Sequence, residues 1–274
     1  MTTSQNIIAQ ASQSIANQGY TGYYQYLANA FVGHSQLPTY QQFVNRTCRA
    51  TLPLQCLNEA MFYSVAYGLQ HYKTFFKALS ENIVIDMTDS ILNVVDYGCG
   101  QGVASIALLD FLAQTHTSQN VPLHVNFCLI EPSAVSLSIA EKILTQVANH
   151  HGISITITTQ CVPLAQAVIS DFGNTAMTFH LMSYILDVPA VQQQIGSITR
   201  QIQQLQGTQF IVATCPTYTS SYEGFALFSN AFGYSAPIVR QSIAHNSYRV
   251  IQQRFCEQQA DTISMVIILE NLAV

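Results

Sequence analysis

The chain has 274 residues, a formal net charge of -5, 49% hydrophobic residues and only 8% charged ones. This length suits one α/β domain with an appendage, or two modest domains, and its solvated surface must rest on Gln, Ser, Thr and Asn rather than on charge. Three lysines, Lys73, Lys77 and Lys142, make no basic patch of the kind that neutralises phosphates, so nucleic acid is not an expected partner.

Seven cysteines with no C-x-x-C spacing read as reduced, mostly buried thiols. With no basic leader and no apolar run of membrane length, the expected location is the cytoplasm, with no membrane partner. Oligomeric state is not legible.

In chain order, residues 1–82 show helical spacing only. Ile7, Ile8, Ala11 and Ile15 form one stripe and residues 20–32 a second, punctuated by Gly19 and Gly22. A third segment over residues 40–49 follows Pro38, and a fourth runs from about Cys56 to Leu79. These predict a helical N-terminal cap. Its tyrosines are candidates to line a substrate pocket. Tyr23 and Tyr24 stand first among them, because neighbours on a helix cannot both face a single core, while Tyr20, Tyr26, Tyr63 and Tyr67 are the others.

From residue 83 to 274 strands and helices alternate, which predicts a mostly parallel sheet covered on both faces. The strands are expected at residues 92–97, 124–130, 153–158, 176–181 and 209–213. A helix follows each of the first two, and a longer one spans Pro189 to just before Gly207. Residues 214–237 form an insertion with a short helix near residues 222–230, whose polar candidates are Tyr218, Tyr222, Glu223 and Tyr234, with Tyr222 taken as a substrate contact. The chain closes with two strands, residues 248–255 and 262–269, joined by the polar turn 257–261. The whole predicts a Rossmann-like, mostly parallel seven-stranded sheet with a terminal antiparallel hairpin, carrying the helical cap.

The most informative stretch is Val94 to Gly102, V-V-D-Y-G-C-G-Q-G. It reads as a buried strand breaking into a tight turn at the start of a helix, where glycine permits φ > 0 and close approach of a ligand. Dinucleotide folds use G-x-G-x-x-G with a pyrophosphate on the helix N-terminus. Here the third glycine, Gly102, comes one residue early and an acid, Asp96, precedes the first. This acid-x-G-x-G-x-G pattern resembles motif I of the class I S-adenosylmethionine (SAM) dependent methyltransferases. The second motif is Glu131-Pro132 at the end of the second strand, where two carboxylate oxygens can accept from both hydroxyls of a ribose; the same carboxylate can also serve the positive end of the following helix.

The resemblance implies SAM as cofactor, with S-adenosylhomocysteine as product, held by Asp96, Gly98, Cys99, Gly100, Gln101, Gly102, Glu131 and Pro132. It further implies adenine contacts near Gln160 and Cys161, where many members carry an acid in place of Gln160. His180 and Leu181 border the same site. His180 and Tyr184, expected near the carboxyl end of the fourth strand, are the catalytic candidates, Tyr184 also facing the substrate; packing roles for both stay open. The methyl acceptor is expected to be a small molecule or a protein. A SAM-fold binding or scaffold protein without transfer activity is the alternative. No P-loop, metal-ligand pair or nucleophile elbow is present in the sequence.

Overall fold

The computed structural model describes residues 3–32, 37–85, 91–116, 123–169, 177–233 and 236–271. Its strands are β1 (Ile91–Tyr97), β2 (His124–Ile130), β3 (Ser154–Gln160), β4 (Met177–Ser183), β5 (Gly207–Pro216), β6 (Val239–Arg249) and β7 (Arg254–Asn271). They form one seven-stranded sheet in the order β3-β2-β1-β4-β5-β7-β6. Pairings from β3 through β5 are parallel, and β7 runs antiparallel to both β5 and β6. The reversal of order beside β1 puts a crevice at the carboxyl ends of β1 and β4, the position where open α/β sheets bind ligands.

The apolar run of β1 is buried from Leu92 to Tyr97 because both faces of the strand are covered. On one face lie α5 (Val103–His116) and α6 (Ala134–His151), together with the N-terminal helices α1 (Thr3–Val32), α2 (Tyr40–Thr47), α3 (Leu57–Tyr63) and α4 (Leu69–Asn82). On the other lie α7 (Pro189–Gln192), α8 (Ile195–Gln204) and α9 (Thr219–Ala231). Helix α5 is buried from Val103 to Leu112, as its nearly all-round apolar character requires. Residues of α1 to α4 share one apolar cluster with β1, α5 and α6.

Three local expectations are corrected. The closing turn lies at residues 250–253, where Arg249 pairs with Arg254 and Gln253 takes φ 52°, and the polar stretch 257–261 belongs to β7. Those residues are polar because this part of the strand extends beyond the core, with Glu257, Gln259 and Asp261 exposed. The helix expected between Pro189 and Gly207 is two, α7 and α8, interrupted at Gln193 and Gln194. The helix expected from Cys56 to Leu79 is interrupted by a π turn, Ser64–Gly68, between α3 and α4. Such single-turn bulges concentrate at functional sites. Helix α1 bends at Gly19 (φ 60°, ψ -157°), where the sequence stripes change.

Candidate functional site

β1 ends in Tyr97 and the chain turns through Gly98, Gly100 and Gly102, with φ of 59°, 53° and 75°. Only glycine adopts this conformation without steric cost, so the alternating glycines are a backbone requirement. Beyond that shared need they differ. A Cβ on Gly102 would lie 3.2 Å from the Ala140 Cβ on α6, and one on Gly98 would lie 3.1 Å from Ile185 Cγ2, whereas one on Gly100 would meet nothing within 4 Å. Gly102 thus serves helix packing, and Gly100 borders open space. The turn is held by Cys99 N–H donating to Ile130 O (3.0 Å) and Gly102 N–H donating to Cys99 O (2.8 Å).

The second expected motif joins the first directly. Gly100 N–H donates to Glu131 Oε2 (3.1 Å), and Ser133 N–H donates to Oε1 (3.0 Å), so the carboxylate bridges the glycine turn and the start of α6. Burial raises the Glu131 pKa while these two backbone bonds oppose the rise. Asp96, 1% exposed, accepts from Ser105 Oγ on α5 (2.7 Å), and its Oδ1 has no hydrogen-bond partner. Burial pushes its pKa up to about 7.

Several neighbours of the turn are spent on structure. The Gln101 side chain donates to Ala60 O (2.8 Å) and bonds Ser64 Oγ, tying the turn to α3 and the π turn. Leu181 pairs with Asp96 across the sheet and is buried. The Gln160 amide donates to Val168 O (2.7 Å) and accepts from Val168 N–H (3.1 Å), so it closes its own loop; Cys161 is exposed, its thiol 3.6 Å from Pro132 O.

His180 departs from its expected position. It is the fourth residue of β4, paired with Val95 and Ile211, and is fully buried toward the α8 and α9 face. Its Nε2 lies 2.9 Å from Gln209 Oε1, and Gln209 Nε2 donates to Gln206 O (2.7 Å), which identifies Oε1 as the acceptor and Nε2 as the donor. Nδ1 then accepts from the Tyr97 hydroxyl at 2.9 Å. Burial takes the pKa down to about 4, so the ring is a neutral link with both nitrogens used. At this distance from the strand's end the side chain points inward, which the sequence pattern did not reveal.

Tyr184 does lie at the carboxyl end of β4, in a left-handed conformation (φ 59°) that is costly for a non-glycine residue. Its N–H donates to Thr214 O (2.7 Å), its hydroxyl accepts from Gln70 Nε2 (3.2 Å) and contacts Thr74 Oγ1 (3.2 Å), and its ring stacks on His71 at 3.8 Å. Burial pushes the phenol up to about 12. Tyr63, Tyr67 and His71, spaced by four along the helix that carries the π turn, continue this wall, with ring centroids 5.3 Å and 6.2 Å apart. Burial, helped by Glu131, Tyr67, Tyr184 and Asp187, holds the Tyr63 phenol well above its usual range, and its hydroxyl lies 3.4 Å from His71 Nδ1. His71 is neutral, its pKa taken down to about 3 by burial.

Tyr23 and Tyr24, expected in the pocket, are core residues, each 1% exposed. Their adjacency did not force one outward because α1 is enclosed on several sides. Tyr24 donates to Val65 O (3.2 Å) and accepts from Tyr248 N–H (2.8 Å), while Tyr23 packs on Tyr20. Tyr222 is 37% exposed on α9, and Tyr234 lies outside the described residues. His71, Gln70, Thr74 and Asp187 had no signal beyond helical spacing or position after a strand. A groove of about 640 Å³ between α1 and α6, lined by Ile8, Leu57 and Ile139 together with polar residues such as Gln13, Glu141 and Lys142, includes no residue of the glycine turn. Among the described residues no cluster of His, Cys, Asp or Glu could hold a metal, and no helix is long and apolar enough to cross a membrane.

No protein-family model matches the chain, and no curated protein matches it. Among solved structures, it resembles a precorrin-6y C5,15-methyltransferase from Geobacter metallireducens, with 13% identity, a TM-score of 0.42, and 72% of this chain and 85% of that one covered. It also resembles a SAM-dependent methyltransferase from Leishmania major (11% identity, TM-score 0.44, 82% of each chain). A human methyltransferase 10 domain containing protein superposes with 11% identity and a TM-score of 0.37 over 72% of this chain and 80% of that one. The strand order, the antiparallel closing pair and the glycine turn after β1 give this chain a Rossmann-like fold, a mostly parallel seven-stranded sheet with a terminal antiparallel hairpin.

Proposed function

We propose that the protein transfers a methyl group from SAM to an acceptor, a small molecule or a protein rather than a nucleic acid, with residues 1–82 acting as a cap over the acceptor site. The observation that carries this reading is the left-handed glycine turn bonded through Gly100 N–H to Glu131. The residues fit the cofactor. Open space borders Gly100, Glu131 keeps lone pairs for ribose hydroxyls, and the partnerless Oδ1 of Asp96 is a buried polar atom beside the turn.

When bound, SAM supplies an electrophilic methyl on its sulfonium. The chain's own contribution is proximity, orientation and exclusion of water. Glu131 would hold the ribose, Pro132 and Cys161 would border the adenine, and Tyr63, His71 and Tyr184 would face the acceptor. The Gln160 amide would have to leave Val168 to reach adenine, so the backbone there is the better candidate. Unlike His180, His71 has no hydrogen-bond partner on Nε2 among the described residues, so it would meet the acceptor as a neutral ring rather than as a base.

Calorimetry with SAM, S-adenosylhomocysteine and NAD tests the reading. Binding of the first two but not of NAD is expected, and its loss in Gly100→Val; tight NAD binding, or affinity unchanged by Gly100→Val, would overturn it. One observation favours a second reading, a binding module without transfer activity: Gln160 stands where many members of the resembled family carry an acid, and its amide is bonded to Val168. Binding of SAM without turnover on a panel of amine, phenol, carboxylate and thiol acceptors would support that module.

A further inference from the structure

The two edges of the sheet are guarded differently. On β6, Arg240 and Arg249 are exposed and the Tyr248 N–H is capped by the Tyr24 hydroxyl (2.8 Å). On β3, the opposite edge, there is no charge, no proline and no bulge. Its seven residues pair with β2 in unbroken register, and no Asp, Glu, Lys or Arg stands between Lys142 and Asp171. An edge without any of these devices is a template for another strand.

The free backbone groups follow from the register. Ser154 N–H donates to Leu123 O (3.1 Å) and Gln160 O accepts from Glu131 N–H (3.1 Å), so the even-numbered residues of β3 turn their backbone toward β2. Successive residues of a paired strand point theirs to opposite sides, so Ile155, Ile157 and Thr159 present N–H and C=O outward, where no strand pairs among the described residues. Ile153 shares that side, with its N–H donating to Ala148 O (2.9 Å). The side chains of Ile153, Ile155 and Ile157 lie on the α6 face and line a groove of about 470 Å³ with Glu141, Thr145 and Asn149.

We propose that this edge receives β3 of a second copy of the chain, antiparallel and related by a two-fold axis at Ile155, so that the two sheets become one. Ile153-Ser154-Ile155-Thr156-Ile157 is its own complement in that register. Ile155 meets itself, Ile153 meets Ile157 and Ser154 meets Thr156, which keeps every isoleucine on the α6 face. Ile155 exchanges both bonds with its copy, and each Ile157 N–H meets the Ile153 O of the other copy.

Charge favours the same occupant. With a net charge of -5 two copies repel each other over much of their surface, whereas this edge is neutral. Helix α6 runs back against β3, so Glu141 lies toward the Ile157 end of the groove and Asn149 toward the Ile153 end. The axis therefore sets each Glu141 toward the other copy's Asn149 amide and holds the two carboxylates apart. It also turns the carboxyl ends of the two sets of strands in opposite directions, leaving both crevices open.

Sedimentation velocity over about 1–100 μM tests the assembly, a range in which mass action reveals a micromolar dimer. The wild type is expected to shift from monomer to dimer with concentration. Ile155→Lys, and Thr156→Lys at an exposed position that spares the core, are expected to remain monomeric with unchanged S-adenosylhomocysteine affinity. Ile155→Cys reads the register, because partners in a hydrogen-bonded pair sit about 5.5 Å apart, within reach of a disulfide. Mild oxidation should link it to itself, as mapped by mass spectrometry, whereas Thr158→Cys should not self-link. A wild type that stays monomeric, a dimer that survives both lysine variants, or self-linkage of Thr158→Cys equal to that of Ile155→Cys would overturn the proposal. Each of those results leaves the methyl-transfer reading standing, since no residue of the glycine turn takes part.

Discussion

Asp96→Asn is the most informative single change, because this carboxyl is buried at the turn with one oxygen unpartnered. Its pKa is raised from 3.8 to about 7, so between those values the folded state keeps a proton that the unfolded chain has lost. Stability contributed by this group is therefore present at low pH and lost as pH rises toward 7. Between pH 5 and pH 8 the loss amounts to roughly 2–3 kcal/mol, since each tenfold difference in proton affinity between the folded and unfolded chain is worth about 1.4 kcal/mol. Asparagine keeps an acceptor for Ser105 and cannot ionise, while its NH₂ inherits the partnerless position at a pH-independent cost of about 1–3 kcal/mol.

Urea denaturation followed by circular dichroism at pH 5, 6, 7 and 8 measures both proteins. Glu131 and Asp187, also raised by burial, tilt both curves the same way as Asp96, and His71 and His180, lowered by burial, tilt both the opposite way. The contributions of Asp187, His71 and His180 cancel in the difference, whereas Glu131, whose charge helps raise the Asp96 pKa, adds to the Asp96 effect. Asp96→Asn should gain roughly 2–3 kcal/mol on the wild type from pH 5 to pH 8. Parallel curves would refute the claim that Asp96 is held against its own charge.

The glycines should separate by role: Gly102→Val, facing Ala140 at 3.2 Å, should lower stability by several kcal/mol, of the order of about 3. Gly100→Ala should cost only about 1–2 kcal/mol of backbone strain yet abolish S-adenosylhomocysteine binding in calorimetry. His180→Leu leaves the Tyr97 hydroxyl and Gln209 Oε1 without partners and should cost about 2–4 kcal/mol in denaturation, with cofactor affinity unchanged. Tyr184→Phe removes the acceptor of Gln70 and should destabilise by about 1 kcal/mol, with its larger effect on acceptor KM once a substrate is in hand.

Much of the architecture was legible because it rests on local physics. The buried run of β1, the all-round apolar α5 and the positive φ demanded at Gly98, Gly100 and Gly102 are consequences of residue type and order. Glu131 was legible as well, since an acid ending one strand meets the turn ending its neighbour whenever β1 and β2 pair in parallel register. The closing turn was misplaced because one face of β7 over residues 257–261 is exposed, which allows polar residues within a strand.

The acceptor side of the site was less legible, for a different reason. Whether a tyrosine of residues 1–82 joins the core depends on what encloses its helix, so Tyr23 and Tyr24 became core while Tyr63 and Tyr67 are half-buried and pack on each other. His180 and His71 could not be told apart by type, because their chemistry follows from which ring nitrogens the surrounding chain has already used. By itself the sequence determined the sheet, the glycine turn and its acid partner, since these follow from backbone sterics and strand pairing. Only the tertiary structure decided which side chains are spent on the core and which meet that turn, because burial and the partners available to each group arise from distant segments packing together.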